Sequence, residues 1–181
     1  PHSDLWLAAY AGDTDEVRDL IERGADVNEL DTDSDKPTPL WAACSTLSWP
    51  TAKVLIDAAG ANLHAVDSKG NTLAHCAARG GDHETIVELF IRGMNMSQAN
   101  THGNTPLHAA AVHNKSEMIL TLLDLHAGIN TTNIFGSTPL HAAATYGAIQ
   151  SAGALLHRNA ALHIKNSNGR TAMDVARKKK H

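Results

Sequence analysis

Three of the twelve histidines, His75, His108 and His141, stand 33 residues apart. With Cys44 and Cys76 they are the side chains best suited to bind a transition metal or serve a nucleophile. Their even spacing argues against both. Residues one period apart occupy the same position in neighbouring units, and packed helices lie roughly 8–10 Å apart. Two nitrogens on one zinc must each come within about 2 Å of it, so the three rings do not share a metal. No cofactor is expected. The carboxylate pairs Asp15 with Glu16 and Glu84 with Glu88 fall on a polar helix face, where solvated charge is the default. No glycine-rich phosphate loop follows a strand and opens a helix. The residues that could do chemistry are spaced as parts of a repeat, and enzyme activity is not expected.

That repeat is a hexapeptide pattern seen five times: Thr38-Pro39-Leu40-Trp41-Ala42-Ala43, Thr72-Leu73-Ala74-His75-Cys76-Ala77, Thr105-Pro106-Leu107-His108-Ala109-Ala110, Thr138-Pro139-Leu140-His141-Ala142-Ala143 and Thr171-Ala172-Met173-Asp174-Val175-Ala176. A degenerate copy, Ser3 to Ala9, opens the chain, and the acidic stretch Asp31 to Asp35 accounts for its longer spacing. Thr at each start can cap a helix by accepting an orphan backbone N–H, and Pro suits the first helical turn. A short helix is predicted at each copy, with a narrow packing stripe of Leu and Ala such as Leu107, Ala110 and Ala111.

About one tight turn later comes a second apolar run: Val17, Leu20, Ile21; Val54, Leu55, Ile56; Ile86, Val87, Leu89, Phe90; Ile119, Leu122, Leu123; and Ala152, Leu155, Leu156. This spacing predicts a second helix. Its end is marked by Gly24, Gly60, Gly93, His126 and Asn159, residue types suited or tolerant to a left-handed cap. Between units, Asp33, Asp67, Asn100, Asn133 and Asn166 are followed at a fixed distance by Gly70, Gly103, Gly136 and Gly169 in the last four, which is turn chemistry. A helix start, a cap and a turn recur in phase, the mark of a stacked repeat array.

The chain therefore resembles the ankyrin-repeat family over essentially its whole length. The resemblance implies an all-α ankyrin-repeat solenoid of stacked helix-turn-helix units with protruding β-hairpin-like turns. One domain, 1–181, would comprise units 1–31, 32–66, 67–99, 100–132, 133–165 and a partial 166–181. With only 4% aromatic residues, its core must be aliphatic and alanine contacts between neighbours. Met173 and Val175 of the partial unit can pack on one side only, as expected of a segment from a longer array.

Charge is uneven: residues 1–35 carry eleven acidic and two basic side chains, and residues 158–181 carry seven basic and one acidic. A net charge of −4 argues against general nucleic-acid binding. No apolar segment is long enough to insert into a membrane. The two cysteines replace Ala in the pattern, so small buried thiols are expected, as in an intracellular, cytoplasmic protein. The run Arg177 to Lys180 leaves nuclear import open.

The resemblance also assigns roles. The histidines His75, His108 and His141 would hydrogen-bond in the loop network between repeats. Trp41, in the same slot, would cover that loop or stand partly exposed for contact. A monomer would present a concave face to a protein or peptide partner, as adaptor, scaffold or inhibitor; the alternative is a targeting or autoregulatory segment of a larger multidomain enzyme. Projected onto this chain, the turn tips are Ser34 and Asp35, Ser68 and Lys69, Thr101 and His102, Ile134 and Phe135, Ser167 and Asn168. The first-helix ends add Tyr10, Ser45, Arg79, His113 and Tyr146. Ile134 and Phe135 form either an exposed apolar contact patch or a fold-over onto a neighbouring turn. Trp49, opening a helix with Pro50 in the irregular second unit, is expected to seal the side away from the concave face. Asn28 resembles sites modified by an asparaginyl hydroxylase in this family.

Overall fold

The computed structural model describes residues 2–31, 37–58 and 60–181. Eleven helices are found among them. The first helices of successive units are α1 (Asp4–Ala11), α3 (Pro39–Ser45), α5 (Leu73–Gly80), α7 (Pro106–Val112), α9 (Pro139–Tyr146) and α11 (Ala172–Lys179). The second helices are α2 (Thr14–Glu22), α4 (Trp49–Asp57), α6 (His83–Ile91), α8 (Ser116–Asp124) and α10 (Ile149–His157). Each helix packs on its partner and on its equivalent in the next unit, giving two parallel rows. Around α4, α6 and α8 the second row is packed more loosely than the first.

The helices begin where the Thr residues stand. Thr38, Thr138 and Thr171 accept from the backbone N–H three residues on, and Pro opens α3, α7 and α9. This satisfies a donor that helix geometry orphans. They end where the left-handed residues stand: His126 has φ 64° and Asn159 φ 61° beside the glycines at the same position. The turn joining α3 to α4 departs from that economy. Leu47 takes φ 59° where Gly12, Gly81 and Gly147 do so elsewhere, and its side chain lies against Gly80, which has no Cβ to obstruct it.

The core is one continuous cluster rather than a globular centre. Leu40, Leu73 and Leu107 of the first row meet Leu55, Leu89, Ile119, Leu122 and Leu155 of the second, with Ala between them. The second helices bury less of their apolar run than expected. Ile86 and Leu89 are fully buried, but Val87 and Phe90 are exposed, because a helix flanked by its partner and two neighbours turns only one stripe inward. Cys44 and Cys76 are buried as thiols rather than as a disulfide. Trp49 is partly buried against the core, in a groove with Arg18 and Ile21 between α2 and α4. At the far end α11 packs on α9 through buried Ala172 and leaves Met173 exposed. Among the described residues no helix is long and apolar enough to cross a membrane.

Candidate partner-binding surface

The projecting turns are built by their first residue. The Asn100 side-chain oxygen accepts from the N–H groups of His102 and Asn104, Asn133 does the same for Phe135 and Ser137, and Asn166 for Asn168 and Arg170. Asp67 repeats it with Lys69 and Asn71. Strand pairing is minimal, limited to one bridge between Val66 and Thr72 among the described residues. Each tip is tied to the next instead: Thr101 N–H donates to the Lys69 carbonyl, Ile134 to His102 and Ser167 to Phe135, at 2.9–3.1 Å. Gly103 shows why glycine is required. Its φ is 73°, and a Cβ there would come within 2.8 Å of the Ile134 backbone nitrogen. A second ladder runs beneath, from Asn100 Nδ2 to Asn71 Oδ1 and from Asn133 Nδ2 to Asn104 Oδ1.

The motif histidines lock these turns to the first helices. Thr72 N–H donates to His75 Nδ1 at 3.1 Å, so the ring proton sits on Nε2, which donates to the Asn104 carbonyl at 2.8 Å. Thr105, His108 and Ser137 repeat the relay, as do Thr138, His141 and Arg170. Each ring therefore joins one helix start to the next turn. Burial pushes the proton affinity of His75 and His108 below the ordinary value.

Trp41 resolves differently from one of its two expectations. It is buried, not available for contact, and its indole N–H donates to the Ala65 carbonyl at 3.4 Å. The larger ring reaches past the next turn to the chain entering it.

Exposure divides the projected contact residues. Lys69, His102, Arg79 and His113 are exposed. Ile134, Phe135 and Tyr146 are 61%, 57% and 65% exposed. Tyr10 stacks on Trp6, and Trp6 on His2, with centroids 5.2 and 4.4 Å apart; the i, i+4, i+8 spacing held that signal. Ser45 is partly buried and spends its hydroxyl on the Ala42 carbonyl at 2.8 Å. Ser34 and Asp35 lie outside the described residues.

Two of these residues are brought together in a cleft of about 200 Å³ between α5, α7 and their turns. Arg79 and His113 line it with His75, Asn71, Asn100 and Asn104. Asn100 is legible in the sequence as a turn former only; for Asn71 and Asn104 the signal is their 33-residue spacing directly before Thr72 and Thr105. Partial burial, then the charges of Arg79 and Lys115, lower the proton affinity of His113.

Burial, reinforced by Cys76 and Asp82, pushes the Cys44 thiol well up, which suppresses the nucleophilic thiolate. Among the described residues no group of three or more His, Cys, Asp or Glu side chains could hold a metal ion. On the opposite face Lys53, Asp57, Glu88 and Arg92 form an ion-pair network linking α4 and α6, so Glu88 is paired rather than simply solvated. Asn28 bridges the first two units, with Nδ2 donating to the Gly60 carbonyl and Oδ1 accepting from Asn62 N–H, both at 2.7 Å. Asn130 makes the equivalent bond to Ala161 N–H.

A stack of capped helix pairs with turns laddered along one edge is the architecture of a repeat-built interaction surface. Residues 50–133 match the family described as ankyrin repeats (3 copies), residues 124–176 that described as ankyrin repeats (many copies), and residues 5–32 that described as ankyrin repeat. The chain belongs to the ankyrin-repeat family, whose members are generally protein-protein interaction modules. The stretch between the matches, 33–49, falls in the first half of the irregular second unit and holds Trp41 and Leu47. No curated protein is significantly similar to the chain.

Proposed function

We propose that this chain is a non-enzymatic binding module that presents its concave face to a protein or peptide partner, as an adaptor, scaffold or inhibitor. The observation that carries the reading is the exposed apolar group Ile134, Phe135 and Tyr146 on a backbone held by the Asn133 turn, the His141 relay and the tip ladder. Large apolar side chains held rigidly in solvent are where binding energy concentrates. Arg79, His113, Lys69 and His102 supply polar contacts along the same face, and Tyr10 closes its other end. The acidic and basic ends of the stack would steer a partner of complementary polarity more than hold it.

Affinity purification with the chain, run beside Phe135→Ala/Tyr146→Ala, tests the reading. Partners retained by the parent and lost by the double variant, at unchanged thermal stability, are the expected result. A large fall in melting temperature with retained partners would contradict it.

A further inference from the structure

Among the described residues, the cationic side chains beside α5 and α7 have no carboxylate partner. Arg79 lies in the last turn of α5, and His113, one position further along its own unit, is the C-cap of α7. Lys115 joins them, its stem lying over Gly81 with Cδ 3.4 Å from where a Cβ would stand. The charges of Arg79 and Lys115 both disfavour a proton on His113.

The carboxylates nearby are committed elsewhere. Asp67 accepts from Lys69 N–H, Asn71 N–H and Asn71 Nδ2. Asp82 is buried and accepts from both the backbone and the hydroxyl of Thr85. Among the described residues neither Arg79 nor Lys115 has a carboxylate within ion-pair distance; the Arg79 guanidinium donates to the Cys76 sulfur, at 3.8 Å. In a chain of net charge −4, an arginine without a carboxylate partner among the described residues, opening into a cleft lined by His113 and asparagine amides and with the charge of Lys115 felt at His113, is poorly explained by stability.

We propose that the cleft between α5 and α7 anchors an acidic side chain, glutamate or aspartate, of an extended peptide, with the Arg79 guanidinium as the principal contact, His113 beside it in the lining and Lys115 adding positive charge from outside it. The guanidinium fork matches a carboxylate in two parallel bonds, which a lone ammonium cannot do. The apolar group at Phe135 and Tyr146 then lies two turns along the same face, so the peptide would place its acidic residue and its apolar residue in that order along the stack. This rests on the concave-face reading above and adds the chemistry of the partner.

Random dodecamer peptides displayed on phage and selected against the whole chain test it. The selected pool should be enriched in Glu or Asp at one position. Arg79→Gln should weaken the best peptide at least about tenfold, as loss of a charge-assisted pair does. Glu→Gln in that peptide should cost the same, and both changes together no more than either alone. Arg79 is exposed, so the variant's unfolding curve should be unchanged. A pool with no acidic enrichment, or no pool at all, overturns the proposal, as does binding indifferent to Arg79→Gln. Peptides indifferent to Arg79→Gln but lost on Phe135→Ala/Tyr146→Ala leave the concave face as a binding surface and remove only the acidic anchor. Peptides indifferent to both remove both readings.

Discussion

Acidifying the solution from pH 7 toward pH 5 should destabilise this protein through its buried histidines, well before its carboxylates titrate. The ring of His75 uses Nδ1 as an acceptor for Thr72 N–H and Nε2 as a donor to the Asn104 carbonyl, and His108 does the same with Thr105 and Ser137. A second proton would have to sit on Nδ1, setting two donors face to face in a site 3% exposed at His75 and 1% at His108. Both folded values are lowered from the ordinary 6.5. Above that value neither state is protonated there and nothing is lost. Below it the unfolded chain takes up protons that the folded chain refuses, so stability falls until the pH reaches the folded values. Each proton of difference is worth about 1.4 kcal/mol per pH unit, so the two rings together set a limiting slope of about 2.7 kcal/mol per pH unit. Exposed His113, lowered too, adds a smaller amount of the same sign. Asp57, Glu88 and Asp174, held low by Lys53, Arg92 and Thr171 respectively, act in a separate window below about 4.5.

Urea titrations followed by circular dichroism at half-unit steps of pH measure that slope. His108→Gln keeps an amide that can both accept and donate but cannot titrate, and should roughly halve the limiting slope while costing some stability at pH 7. A parent protein whose stability is flat between pH 6.5 and 5, or a variant with the parent's slope, would refute the reasoning.

Three smaller tests follow from single residues. His126 holds φ 64° at a position filled by glycine elsewhere, so His126→Gly should stabilise by up to about 1 kcal/mol in urea denaturation; a loss would deny the strain. The Ser151 hydroxyl is fully buried with no partner among the described residues, because Ala148 stands where Asp82 takes the Thr85 hydroxyl at 2.6 Å. Ser151→Ala should be neutral or stabilising, whereas Thr85→Val should cost about 2 kcal/mol, and equal losses would contradict the comparison. Asn28→Ala removes two bonds between the first and second units and should cost about 1–2 kcal/mol; amide exchange at Asn62 should quicken, and unchanged exchange would count against the bridge.

The helix starts and ends were legible because each rests on a residue whose local chemistry is sufficient: Thr38 and Thr138 cap their own helices, and His126 and Asn159 take the left-handed turn expected of their positions. The histidine relay was legible through family resemblance, and the coordinates add its direction, from Thr N–H through the ring to the next turn's carbonyl. Burial depth was less legible. Val87 and Phe90 belong to an apolar run yet face solvent, since a run shows that a helix has an inner side but not how narrow that side is. Trp41 could not be placed from its slot alone, because its bond goes to Ala65, 24 residues on, rather than to the carbonyl 29 residues on that the histidines use.

The cleft was the least legible feature, and for a physical reason. Repetition identifies a residue by its slot, whereas a recess between two units depends on which residues of both units face it at once. Arg79 and His113 could each be placed on the concave face one unit at a time. That they share an opening, with the charge of Lys115 felt at His113 and, among the described residues, no carboxylate paired with Arg79, follows only from stacking α5 on α7. A surface of this kind owes its shape to the residues that recur and its specificity to those that do not. The charge of one slot, Arg79, can therefore be reversed without moving a helix: Arg79→Glu should leave the unfolding transition where it is and turn the peptide preference from acidic to basic. Retention of acidic peptides by that variant would show that the pairing of neighbouring slots does not set what this face binds.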